Sequence, residues 1–123
     1  MTKASNAADN LITQIILGID QVKGLEVNLL DLRNIENTVC DYFIICSGTS
    51  NTHVSAIIGS VQKTVSKVLH EKPYHTEGQD NGEWVLMDYI DVVVHVFQKQ
   101  IREYYNIEEL WGDAKTTLIA SNQ

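Results

Sequence analysis

The sequence predicts an α/β (α+β) domain, a mixed five-stranded sheet with helices packed on it. Three observations lead there. Two long stretches repeat apolar residues at the spacing of one helix face. One nearly continuous apolar run, Asp41-Tyr42-Phe43-Ile44-Ile45-Cys46, suits a strand covered on both faces. A segment rich in Val and aromatic residues, Gly82 to Phe97, reads as two strands joined at a polar bend. The order is helix, two strands, helix, three strands, short helices.

The first helix has a cap in Ser5 or Asn6. Its buried stripe is Ala8, Leu11, Ile12, Ile15, Ile19 and Val22, and Gly24 supplies a stop. Leu25 to Leu32 is the first strand, and Asp31 to Asn37 is polar and turn-like. After the second strand, Ser47-Gly48-Thr49-Ser50-Asn51 leads into another helix, with Ser50 or Asn51 as its cap. Val54, Ile57, Ile58, Val61, Val65 and Val68 form that helix's stripe. Gly59 within it costs roughly 1 kcal/mol against Ala, which points to close packing there. Pro73 closes the region.

Tyr74 to Gln79 is a short polar strand, and Asp80-Asn81-Gly82 turns it into the next. With Asn81 and Gly82 as the loop, Glu77 faces Leu86 and His75 faces Asp88. With Tyr89 and Ile90 as the following turn, Asp88 faces Asp91, Leu86 faces Val93 and Trp84 faces His95. Side chains alternate across a sheet. One face then carries Val85, Met87, Val92, Val94 and Val96, wholly apolar and suited to a helix cover. The other mixes Trp84 with Glu77, Asp88, Asp91, His95 and His75. Gln98 to Tyr105 is a short helix, Asn106 to Glu109 has capping-box character, and a last turn ends at Leu110-Trp111-Gly112. Residues 1–114 make a single domain, with 115–123 a loose tail.

With 123 residues the chain fits one domain and buries enough surface for its own core. No apolar run approaches a membrane span, and the N-terminus lacks the apolar core of a signal peptide. Cys40 and Cys46 sit among apolar residues without C-x-x-C spacing, as reduced core thiols do in a cytoplasmic protein. The formal charge of −7 opposes a grip on nucleic acid through phosphates and suits a basic protein partner or plain solubility.

Four constellations bear on chemistry. Ser47-Gly48-Thr49-Ser50, between a buried strand and a helix N-terminus, has the form of an anion cradle. A nucleotide-binding or nucleotidyl-transferring enzyme would need carboxylates soon after it for Mg²⁺, and Asn51 to Leu69 contains no Asp or Glu. A tight turn with a helix cap is the favoured reading. Asp88 and Asp91 could do acid/base work but equally serve as solvated turn residues. His75, Glu77, Asp88 and His95 are residue types that suit Zn²⁺, at a spacing that matches no known motif. No metal or cofactor is expected. Trp84 on a mixed sheet face is either an interface anchor or a core residue beneath a C-terminal helix.

The run Asp41 to Asn51 resembles one signature of the Iojap family, the ribosomal silencing factors. Glu77-Gly78, Trp84 to Asp88, Asp91 to Phe97 and Arg102 to Ala114 resemble the rest. The resemblance spans nearly the whole chain. It implies a nucleotidyltransferase-like α/β fold without catalysis, binding to protein fourteen of the large ribosomal subunit, and a block on subunit joining. It implies no membrane and no sequence-specific nucleic-acid contact, and it is compatible with a homodimer. On this reading Trp84 is the apolar anchor, with Met87, Asp88, Tyr89 and Asp91 around it. One departure bears on the hairpin: the family commonly carries Gly where this chain has Ile90. A β-branched residue resists φ > 0, which sets a bulge or longer turn against the two-residue turn.

Overall fold

The computed structural model describes residues 3–38 and 40–119, and of residues 3–7 the backbone alone. Helix α1 (Lys3–Gln21) leads to β1 (Leu25–Asp31) and β2 (Tyr42–Gly48), then α2 (Asn51–Leu69). Strands β3 (His75–Glu77), β4 (Trp84–Asp88) and β5 (Val92–Gln98) follow, then the short helices α3 (Lys99–Tyr105) and α4 (Ile107–Leu110) and a last strand, β6 (Lys115–Leu118). The sheet runs β3-β4-β5-β2-β1-β6. The central β2–β5 pair is parallel and the others are antiparallel, so the sheet is mixed, as expected.

Six strands replace the expected five. The loose tail is the error: Lys115 to Leu118 pairs with β1, from Asp31↔Lys115 to Asn28↔Leu118. All four of its residues are exposed, so no buried stripe announces the strand. Backbone pairing to an open edge holds it. The last four positions, 120–123, lie outside the described residues.

Each face of the sheet has its own core. Helices α1 and α2 cover Tyr42, Ile44, Cys46, Val85, Met87, Val92, Val94 and Val96. On the opposite face Phe43, Ile45, Val93 and Phe97 pack with Leu30, Leu32 and Ile107, against Ile101 of α3 and Trp111 after α4. Strand β2 is buried throughout, as its unbroken apolar run predicts.

Helix α1 starts upstream of the expected cap at Ser5 or Asn6. Its exit uses Lys23 at φ +59°, with Gly24 N–H bonded to the Ile19 carbonyl. Ser50 caps α2, its Oγ accepting from His53 N–H at 3.1 Å. Of the expected α2 stripe only Val68 is exposed. Gly59 is not packed closely: a Cβ there would meet nothing within 4 Å. The close approach is at Gly18 of α1, where a Cβ would lie 2.8 Å from Val61 Cα.

The β3–β4 register agrees with the sequence reading, His75↔Asp88 and Glu77↔Leu86. The β4–β5 register does not: Trp84 faces Phe97, Leu86 faces His95 and Asp88 faces Val93. The pairing has slipped by two residues because the turn is longer than two. A slip of two leaves every side chain on its expected face, whereas a slip of one would invert them.

Candidate functional site

The mixed face builds an aromatic cluster from residues on three strands and the C-terminal segment. Trp84 stacks on Phe97 at 4.8 Å and 24°, with Tyr105 of α3 at 5.0 Å. The Trp84 indole N–H donates to His95 Nδ1 at 3.1 Å. Phe43 meets His95 edge-on at 4.6 Å and Trp111 at 5.5 Å. For Nδ1 to accept, the imidazole must be neutral with its proton on Nε2. Burial enforces this and pushes the His95 pKa down to about 4. Nε2 is buried without a partner among the described residues. Trp84 is therefore a core residue beneath the C-terminal segment, as one of its two readings had it, with part of its surface left open.

The hairpin end lies at one edge of this face. Asp88 Oδ1 accepts from Ile90 N–H at 2.7 Å, and Tyr89 N–H donates to the Val92 carbonyl at 2.9 Å. Asp91 N–H reaches back to the Tyr89 carbonyl at 3.0 Å, with Ile90 between them at φ +77°. This is the rare, strained form of γ-turn. A β-branched residue there costs on the order of 1–3 kcal/mol. The longer turn expected on steric grounds is present, yet Ile90 still takes the positive φ that those grounds disfavour. The Asp91 carbonyl accepts from both Asp41 and Tyr42 N–H, tying the hairpin to the start of β2.

The five residues named from sequence separate here. Trp84 and Asp88 are half-buried and Asp91 is exposed, so these three can meet a partner. Met87 has no exposed surface and Tyr89 is buried, both packed under the helices on the opposite face. They cannot touch a docked protein; they hold the residues around them in place.

The metal-type residues do not converge. His75 pairs with Glu77 at 2.7 Å on the exposed edge strand, while His95 is enclosed by aromatic rings. No group of three or more His, Cys, Asp or Glu among the described residues is arranged to hold a metal ion. At the Ser47–Ser50 turn and the start of α2, three backbone donors are committed. Thr49 N–H bonds His53 Nδ1 at 2.9 Å, and His53 and Val54 N–H bond the Oγ and carbonyl of Ser50. His53 Nε2 in turn meets the Val22 carbonyl at 2.8 Å. A phosphate taking the N–H of Thr49, His53 or Val54 would have to displace these bonds.

Sequence reasoning missed Arg102. It is buried, and its guanidinium forks onto Glu108 at 3.0 Å twice. Its Nη1 also donates to the Glu26 carbonyl at 2.7 Å and to Ser47 Oγ at 2.9 Å. Asn28 completes the shell of Glu108. The Arg102 hydrogen bond holds the Glu108 carboxyl below the usual carboxylate range. This clamp fastens α3 and α4, and with them Tyr105 and Trp111, onto the sheet. The signal available was one Arg next to Ile101, the residue of α3 that packs on the core.

With this geometry in place, comparison with known proteins is decisive. The family model described as "Ribosomal silencing factor during starvation" matches residues 5–123. The chain belongs to the ribosomal silencing factor (RsfS/Iojap) family. It is 40% identical over 106 residues to "Ribosomal silencing factor RsfS" of Halalkalibacterium halodurans, covering 86% of this chain and 89% of that one. To the protein of that name from Bacillus subtilis it is 42% identical over 97 residues, 77% of this chain and 79% of the other. A crystal structure of a Chromobacterium violaceum protein superposes with a TM-score of 0.80 at 32% identity, covering 94% and 95% of the two chains. The family is one of non-enzymatic silencing factors. Among the described residues no helix is long and apolar enough to cross a membrane.

Proposed function

We propose that this chain represses translation by docking on protein fourteen of the large ribosomal subunit and obstructing the approach of the small one. The observation that carries the reading is Trp84. Its indole is stacked, hydrogen-bonded and half-exposed in a protein of a ribosomal silencing family. An aromatic side chain already fixed by its own fold loses little freedom on binding, which is what an interface anchor needs. Asp88 and Asp91 place carboxylates at the far end of the same strand and its turn, and the net charge of −7 favours approach to a basic ribosomal protein.

Co-sedimentation with separated ribosomal subunits tests this. Selective pelleting with the large subunit is expected, and equal or absent binding to both would sink it. Trp84→Ala should weaken that binding at least tenfold, a loss of about 1.4 kcal/mol or more. The assay belongs well below the variant's melting temperature, because Trp84 also supports His95 and Phe97.

A further inference from the structure

Ile90 is a large apolar residue that the fold does not need. It is 62% exposed at the tip of the β4–β5 hairpin. Its φ of +77° is one that β-branched residues rarely adopt and that glycine adopts freely. The turn does not depend on its side chain. The three bonds that shape the tip run from Ile90 N–H to Asp88, from Asp91 N–H to the Tyr89 carbonyl, and from Tyr89 N–H to the Val92 carbonyl. All three use backbone donors that any non-proline residue would supply. Glycine would keep them and relieve the strain. An exposed apolar side chain held in a disfavoured conformation is an outlier that points to use outside the fold.

We infer that the Ile90 side chain is an apolar docking contact, entering a recess in the partner surface whose rim Asp88 and Asp91 engage. This rests on the docking function proposed above. The surroundings fix the chemistry of the occupant. Asp88, Asp91 and Asp41 lie around the tip, so the recess belongs to a surface whose rim is basic, as on a large-subunit protein. Anchored from below by buried Tyr89 and Met87, the tip is presented rigidly. The strain thus holds one methyl-bearing side chain outward between carboxylates, where a glycine would offer only backbone.

The test is Ile90→Gly in the full chain, read by melting temperature and by binding to purified large subunits, with Ile90→Leu alongside. A docking role predicts a melting temperature unchanged or raised by a few degrees for Ile90→Gly, with binding about tenfold weaker. Ile90→Leu, which keeps an apolar side chain, should stay within about threefold of the parent. Two results overturn the inference: binding by Ile90→Gly equal to the parent's, or a lowered melting temperature that makes Ile90 a packing residue. If the unmodified chain itself fails to bind large subunits, the docking function falls and this contact with it. Parent binding that survives Ile90→Gly removes only the contact.

Discussion

The two faces of the sheet are built from alternate residues of the same strands, and they solve different problems. The face under α1 and α2 is apolar throughout its strands, with Val85, Met87, Val92, Val94 and Val96 sealed by two 19-residue helices. Its opposite carries Trp84, His95 and Phe97 beneath α3 and α4, which are only 7 and 4 residues long. Long amphipathic helices bury a face by area alone. Helices this short cannot hold themselves by propensity, and they bury little apolar surface beyond Ile101 and Ile107. Specific polar bonds, from Arg102 to Glu108, to the Glu26 carbonyl and to Ser47, do the fastening. The open margin that remains is the surface on which the proposed docking rests. An apolar face is closed by area, and a polar-aromatic face is left half-covered.

If this contrast is right, the mixed face should break at single polar contacts where the helix-covered face would not. Arg102→Ala is expected to have the largest effect. It strands the Glu108 carboxylate and leaves the Glu26 carbonyl and Ser47 without their donor. Removing one member of a buried pair costs about 3–5 kcal/mol, and Glu108 keeps some solvent contact, so about 3 kcal/mol is expected. Urea denaturation measures it. Pairing the change with Glu108→Gln should recover part of the loss, since the stranded charge is gone. Full additivity of the two changes would show that the clamp does not act as a unit.

Acid should reach the mixed face next. Unfolded, His95 titrates near its ordinary value of about 6.5; folded, burial holds it near 4. Above 6.5 both states are neutral and stability is whole. As pH falls towards 4 the unfolded chain takes up a proton that the folded one refuses. Stability is then lost, by about 2–3 kcal/mol at pH 4.5. Asp31 and Glu108 have lowered folded pKa values, so their contributions fade only in more acid solution. Denaturation midpoints at pH 7 and 4.5 should therefore differ in the parent and converge in His95→Phe. An equal fall in both would assign the acid loss elsewhere.

How legible each face was in the sequence follows from the same contrast. Period alone identified α1, α2 and the strand residues they cover, because apolar burial leaves a regular imprint on the chain. The sorting of Trp84, Asp88 and His95 to the other face was legible too, since strand alternation survives a two-residue slip in register. The slip itself was not, because it depends on Ile90 accepting a φ that its own chemistry opposes. Arg102 was hidden for another reason. Its partners Glu26 and Ser47 lie 76 and 55 residues away, and no local pattern records such a bond. Strand β6 left no imprint at all, being exposed on every residue. Of the five site residues, alternation already put Met87 on the helix-covered face, whereas no pattern told that Tyr89, in the turn, stands behind the surface.

The smallest effects sharpen the comparison from the helix-covered side, at its two helical glycines. Gly18 lies at the crossing of α1 and α2, where a Cβ would stand 2.8 Å from Val61 Cα and 3.1 Å from the Ser60 carbonyl. The obstruction is backbone, so the helices must part to admit a methyl group. Ser60 Oγ, which donates to the Gly18 carbonyl at 2.6 Å, would be strained as well. Overpacking of this kind costs about 1–3 kcal/mol, against a propensity gain of roughly 1 kcal/mol, so Gly18→Ala should be destabilising by about 1 kcal/mol. Gly59, on the solvent side of α2, has open space around it. Gly59→Ala should gain the propensity alone, stabilising by up to about 1 kcal/mol. Thermal melts of the two variants should therefore move in opposite directions. A shared sign would mean that helix propensity or unfolded-state entropy, rather than the fit of α1 against α2, governs this face.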